Sequence, residues 1–159
     1  MADWHTRHQA GDLHEQRVIR ELERRGWTTH RCGQGTFPPT IQKALSRTES
    51  SLRRFPDLIA ARGTSLVTID AKTRLPSTHT DRYAVSRACL TAGMQFLGMN
   101  TPVPLFYVFG DLGVLTPTEI THYAAIGHQP PGGSYYLVST RLAHPFDEVF
   151  GLPAASMTA

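Results

Sequence analysis

Residues 55–72, FPDLIAARGTSLVTIDAK, decide how the rest of the chain reads. Two short apolar runs flank a turn at Arg62-Gly63-Thr64-Ser65, the pattern of two strands joined in a hairpin. Asp57 opens the first run, and Asp70 lies near the end of the second. Successive strand side chains point to opposite faces, so Leu66, Thr68, Asp70 and Lys72 share one side and Val67, Ile69 and Ala71 the other. Two carboxylates and an amine thus gather on adjacent strands. Such a cluster is costly to bury unless something compensates it, and a divalent cation does so. Each residue also has a plainer use. Asp57 after Pro56 is a common strand start, and Asp70 with Lys72 makes an ion pair on an edge strand, worth about 0–1 kcal/mol when exposed.

The composition sets the frame. A chain of 159 residues suits one domain with a real core, expected over residues 1–159 with 1–10 and 152–159 as flexible ends. Hydrophobic content of 40% and charged content of 18% are ordinary for a soluble globular protein. No apolar run approaches the roughly 20 residues that span a bilayer, and MADWHTRHQ has no signal-peptide apolar region, so a soluble cytoplasmic protein is the expectation. Cys32 and Cys89 make no disulfide framework, and no Cys/His spacing matches a structural zinc site. His5, His8 and His14, loosely spaced, offer a histidine-built metal site as a minor alternative. A net charge of +3 and a pI of about 9.1 mildly favour a polyanionic partner. Only Lys43 and Lys72 among the 16 basic residues are lysines, so the lysine that closes the hairpin stands out.

Upstream, Asp12 to Arg25 has helical periodicity, with Asp12 as cap, Glu15 three positions later as in a capping box, and Gly26 placed to end it. Val18, Ile19 and Leu22 form the apolar stripe, and Glu15 lies on the same side. Glu15 therefore reads either as a capping partner or as an inward acid. Trp27 to Cys32 predicts a strand. The polar stretch 33–54, with a helical turn around Ile41 to Leu45, carries Lys43, Arg47, Arg53 and Arg54 among several hydroxyls. That mixture suits phosphate contacts and equally a solvated loop.

Downstream, a helix is expected from Asp81 to Leu97, with Val85, Ala88, Cys89, Ala92 and Phe96 facing the core and Cys89 as a small buried apolar residue. Leu105 to Phe109 reads as a buried strand and Leu112 to Leu115 as a short one. Thr116-Pro117-Thr118-Glu119 starts a helix that ends by Gly127, and Tyr135 to Ser139 is the last strand. The aromatic residues fall in core strands, so a base-stacking platform is not indicated. Neither a glycine-rich phosphate loop nor a nucleophile–histidine arrangement is present.

The order is helix, three strands, helix, strand. Pro56-Asp57 followed by Asp70-Ala71-Lys72 resembles the PD-(D/E)xK nuclease signature, with the two acids thirteen positions apart. The helix with inward Glu15, then Arg24-Arg25-Gly26-Trp27 leading into a strand, is similar to the first motif of archaeal Holliday-junction resolvases and their phage relatives. The resemblance covers roughly residues 11–110. It implies an α/β, restriction-endonuclease-like αβββαβ core with a mixed central sheet flanked by helices, here with an added C-terminal helix and strand. It implies Mg2+, with Mn2+ able to substitute, held by Asp57, Asp70 and the main-chain carbonyl of Ala71, with Glu15 reaching it directly or through water. Lys72 would orient the attacking water and stabilise charge on the phosphate. Lys43, Arg47, Arg53, Arg54 and Arg74 would meet DNA, branched or duplex, and a homodimer is expected. Two departures leave junction specificity open. The segment between Trp27 and Asp57 is longer than in the resolvases, and their serine-glycine element is only echoed by Gly33-Gln34-Gly35-Thr36. A nuclease of linear duplex DNA and a non-catalytic DNA-binding protein of the same fold remain as alternatives.

Overall fold

The hairpin forms where its sequence places it. A computed structural model describes residues 4–49, 51–73, 79–100, 102–127, 129 and 133–155. Along it run α1 (Trp4–Glu23), β1 (Thr28–Arg31), α2 (Pro39–Arg47), β2 (Leu58–Arg62), β3 (Ser65–Lys72), β4 (Arg82–Ser86), α3 (Arg87–Met99), β5 (Leu105–Phe109), β6 (Val114–Leu115), α4 (Pro117–Ile126), β7 (Tyr135–Ser139) and α5 (Phe146–Phe150). β2 and β3 pair antiparallel from Leu58↔Ile69 to Arg62↔Ser65, and Gly63 makes the turn at a φ of +59°, a conformation that favours glycine.

Among the described residues the central sheet has the order β1-β2-β3-β5-β6. It is antiparallel except for the β3–β5 pair, which α3 connects as a crossover. The apolar run Leu105 to Phe109 splits between two cores, as a strand buried on both faces must. Val108 joins Val18, Leu22, Leu58, Val67 and Ile69 on the α1 side. Leu105, Tyr107 and Phe109 join Tyr83, Val85, Leu90, Ile120 and Val138 on the α3–α4 side. Asp70 and Lys72 thus sit on an interior strand, between β2 and β5, and not on the edge strand that the plain ion-pair reading assumed.

α1 is longer than its apolar pattern indicates. It begins at Trp4, eight residues before the expected start at Asp12. Once Val18 and Leu22 are docked, fully buried, extending an existing helix costs little per residue and needs no further stripe. Asp12 consequently lies inside the helix and caps nothing, which removes the capping-box explanation of Glu15. The other end follows expectation: Gly26, at a φ of +80°, lets Gly26 N–H reach the Glu23 carbonyl at 3.0 Å and Trp27 N–H the Leu22 carbonyl at 3.1 Å. α2 likewise extends beyond a single turn, started by Pro39 at its first position.

The helix expected from Asp81 starts instead at Arg87, and residues 82–86 form β4. Tyr83 and Val85 are buried as alternate residues of a strand, paired with β7, which lies some fifty residues downstream. Ser86 Oγ accepts the Cys89 N–H at 3.1 Å and caps α3. This start rotates the buried face to Leu90, Ala92 and Gly93, leaving Ala88 exposed and Cys89 half-buried, contrary to their assignment to the core.

In the C-terminal segment the Ala154 N–H donates to the Arg24 carbonyl at 2.9 Å. The buried guanidinium of Arg25 bonds Glu21, Asp147 and the Gly151 carbonyl and lies 4.8 Å from the centre of the Phe146 ring. No helix among the described residues is long and apolar enough to cross a membrane.

At the start of α4 the capping box is complete. Thr116 Oγ1 accepts from Glu119 N–H at 3.2 Å, and Glu119 Oε2 accepts from Thr116 N–H at 2.8 Å while Oε1 meets His144 Nε2 at 2.6 Å. Burial opposes the Glu119 charge, but the Thr116 and His144 contacts outweigh it and hold the carboxyl below its usual 4.5. A carboxyl depressed in the fold stabilises above its unfolded pKa and loses that contribution as pH falls through the folded one. Thermal melts are therefore expected to drop more steeply below pH 4.5 for the wild type than for Glu119→Gln. Parallel curves would refute this.

Candidate active site

Asp57 directly precedes β2 and is anchored from both sides. Its main-chain carbonyl accepts the Cys32 and Gly33 N–H groups at 2.9 and 3.2 Å, while its Oδ2 accepts the Ala71 N–H at 2.8 Å. A side chain at Gly33 would press on Asp57, since a Cβ there would lie 3.2 Å from Oδ1. The N–H and C=O of one strand residue point to the same edge, so the Ala71 carbonyl also opens toward Asp57. On the next residue, Lys72 Nζ pairs with Asp70 Oδ2 at 2.8 Å and stands 4.6 Å from the centre of the Tyr107 ring. Burial works against the Lys72 charge, but Asp70 more than offsets it and the pKa lies above that of an ordinary lysine.

A cavity of about 590 Å³ is lined together by Glu15, Asp57, Asp70, Ala71 and Lys72. Burial first, then the neighbouring Asp70, push the Asp57 carboxyl up to about 8, with only the Ala71 N–H and Lys72 acting the other way. Glu15 reaches the cavity from α1, but its Oε1 meets Arg31 Nε at 3.2 Å. Burial raises its pKa, Arg31 opposing and Asp12 adding to the shift. Among the described residues no three His, Cys, Asp or Glu side chains converge to hold a metal ion. The donor set that does meet here is two carboxylates and a main-chain carbonyl. All are hard oxygens, and Mg2+, which keeps several waters, asks for no more. The uncompensated charge of Asp57 beside Asp70 is what such a cation would neutralise.

Of the expected DNA contacts, Arg53 and Arg54 line the cavity. Arg54 Nη1 lies 3.4 Å from Cys89 Sγ, and Arg53 Nη1 donates to the Thr48 carbonyl at 3.4 Å. Lys43 and Arg47 are exposed on α2 and do not line it, and Arg74 lies outside the described residues. His14, considered for a metal site, is buried with Nε2 3.0 Å from the Val108 carbonyl, a structural tie between α1 and β5. Arg31 and Phe55 border the cavity without having been singled out, and Cys89, expected in the core, borders it too. The Gly33–Thr36 echo of a resolvase element is the one signal that pointed at this wall. Aromatic residues are not confined to the cores either: Phe55 and Tyr135 are 39% and 38% exposed, contrary to expectation.

Helix, hairpin with a flanking strand, crossover helix and parallel strand, in this order, make the restriction-endonuclease-like α/β fold, a mixed sheet flanked by helices. The same fold is found in the solved structure of Hjc, a Holliday junction resolvase from the archaeal hyperthermophile Archaeoglobus fulgidus. That structure is similar over 89% of this chain and 95% of its own, with a TM-score of 0.53 and 15% sequence identity. No protein-family model matches the chain, and no curated protein does.

Proposed function

We propose that the chain is a divalent-metal-dependent endonuclease that hydrolyses phosphodiester bonds in DNA. The observation that carries this reading is the meeting of Asp57, Asp70, the Ala71 carbonyl edge and Lys72 in one cavity, with two arginines on its wall. Asp57, Asp70 and the Ala71 carbonyl would hold the ion, Mg2+ or in its place Mn2+, with Glu15, now paired with Arg31, reaching it directly or through water. Bound there, the metal supplies an activated water and neutralises charge on the phosphate. Lys72, held by Asp70, presents its ammonium to the phosphate and offsets the negative charge that grows during displacement. Arg53 and Arg54 grip flanking phosphates, which positions the strand without reading its sequence. The polar α2 segment, with Lys43 and Arg47, extends this basic surface.

The likeness to a Holliday junction resolvase favours branched DNA and a homodimer, since two symmetric cuts need two such sites. The test compares cleavage of a four-way junction with that of its separate linear arms at equal salt, because phosphate contacts make affinity strongly salt-dependent. Preference for the junction is the expected result. Equal cutting of the arms would make this a nuclease of linear duplex DNA. Binding without cleavage in both Mg2+ and Mn2+ would reduce it to a DNA-binding protein.

A further inference from the structure

A second cavity, of about 290 Å³, adjoins the first, and Arg53 and Arg54 line both. One wall is the segment between α2 and β2, which adds Glu49 to the two arginines. The other is α3, with Ala88, Thr91, Ala92 and Gln95. Each guanidinium spends one nitrogen within the protein, Arg54 Nη1 beside Cys89 Sγ and Arg53 Nη1 on the Thr48 carbonyl, both at 3.4 Å. A guanidinium carries five N–H donors, so both keep several for a phosphate. On α3, Thr91 commits its hydroxyl proton to the Arg87 carbonyl at 2.9 Å. Glu49 and Gln95, one on each wall, are exposed.

The carboxylate sets this cavity apart from a simple phosphate grip. A phosphate held by two arginines gains nothing from Glu49, which repels it. The edge of a base is another matter. In the major groove adenine presents an amino donor beside the N7 acceptor, and cytosine presents an amino donor. Thymine and guanine turn carbonyl oxygens the same way. An ionised carboxylate only accepts, whereas a carboxamide both donates and accepts. Glu49 and Gln95 therefore match the amino-bearing bases, and Glu49 repels the others. Ala88 and Ala92 carry nothing larger than a methyl group, so a base edge can approach α3 closely. Because the two arginines border both cavities, a strand whose phosphate they hold runs from the first toward the second. We infer that the second cavity reads a base flanking the scissile phosphate, with Glu49 accepting from its amino group and Gln95 bonding beside it. This names the substrate class as DNA with adenine or cytosine at one position next to the cut, and it rests on the nuclease reading.

The test uses one DNA that the protein cuts, with each base pair flanking the cut varied through all four bases. At one of these positions, adenine or cytosine in the cleaved strand is expected to give about tenfold faster cleavage than guanine or thymine. Glu49→Ala should bring the four bases to within about twofold of one another, in part by speeding cleavage of the guanine and thymine substrates. Loss of a merely structural side chain would speed none of them. Gln95→Ala should narrow the preference for adenine and leave that for cytosine. Wild-type cleavage that ignores these bases or favours guanine or thymine, or a preference that survives Glu49→Ala, would overturn the inference. Where the wild type cuts no DNA, the nuclease reading fails and the cavity is judged by binding alone. The probe is then a duplex of A·T pairs carrying either adenine or N6-methyladenine, whose methyl group covers the amino hydrogen in the major groove. Binding of the unmodified duplex about tenfold more tightly by wild type, but not by Glu49→Ala, supports the inference. Equal binding of the two duplexes by wild type, or none, disproves it.

Discussion

Replacing Asp57 with asparagine is expected to lower Mg2+-dependent cleavage by about a thousandfold, while the metal-free protein becomes more stable. The two effects have one cause. The Asp57 carboxylate is buried beside Asp70, and these two influences push its pKa up to about 8. The fold thus binds a proton at Asp57 more tightly than the unfolded chain does. The resulting destabilisation sets in as pH rises past 3.8 and is complete above about 8. Asparagine removes the repelled charge yet keeps an oxygen to accept the Ala71 N–H. In metal-free buffer at pH 8 the variant should melt a few degrees higher than the wild type. Adding Mg2+ should raise the wild-type Tm and leave that of the variant in place. Cleavage at the wild-type rate would remove Asp57 from the active site. A lower melting temperature would show that its role is structural. Residues that cost stability while serving chemistry are the expected signature of a functional site.

Replacing Phe150 with alanine is expected to cost about 3–5 kcal/mol of folding stability, measured by denaturant unfolding. Phe150 is fully buried, and its ring lies 4.6 Å from Phe146, 5.4 Å from Phe106 and 6.0 Å from Trp27, centre to centre. Truncation leaves a void among rings that the helix and sheet around them prevent from collapsing. Its carbonyl meanwhile accepts both Trp27 Nε1 at 2.8 Å and Arg62 Nη1 at 2.9 Å, so displacing α5 would also orphan the buried Trp27 donor. Phe150→Leu retains much of the volume and should cost far less, about 1.5 kcal/mol or below. Equal costs for the two variants would mean that the site is looser than its geometry indicates.

The readable parts of the chain were those in which local chemistry and global fold agree. The hairpin at 55–72, the Gly26 stop of α1, the buried run 105–109 and the Thr116–Glu119 cap each carry their structure in a few neighbouring residues. Where the outcome depended on a distant partner, the local pattern misled. Residues 82–86 satisfy a helical stripe and a strand alternation equally well, and β7 decides between them. The same shift turned Cys89 from the core toward the cavity wall. The added length of α1 had no apolar signal because its residues extend, on the N-terminal side, a helix already held by Val18 and Leu22.

For the candidate site the division is similar. By itself the sequence brought the candidate residues together, because Asp57, Asp70 and Lys72 lie within one hairpin whose strand periodicity and turn fix their relation. Only the tertiary structure decided whether they are buried and what stands opposite. β5 and α1 enclose the hairpin, Gly33 closes on Asp57, and Arg31 takes hold of Glu15. The physical reason is that periodicity and turn chemistry act over a few residues, whereas desolvation and the meeting of charges depend on chain segments far apart in sequence.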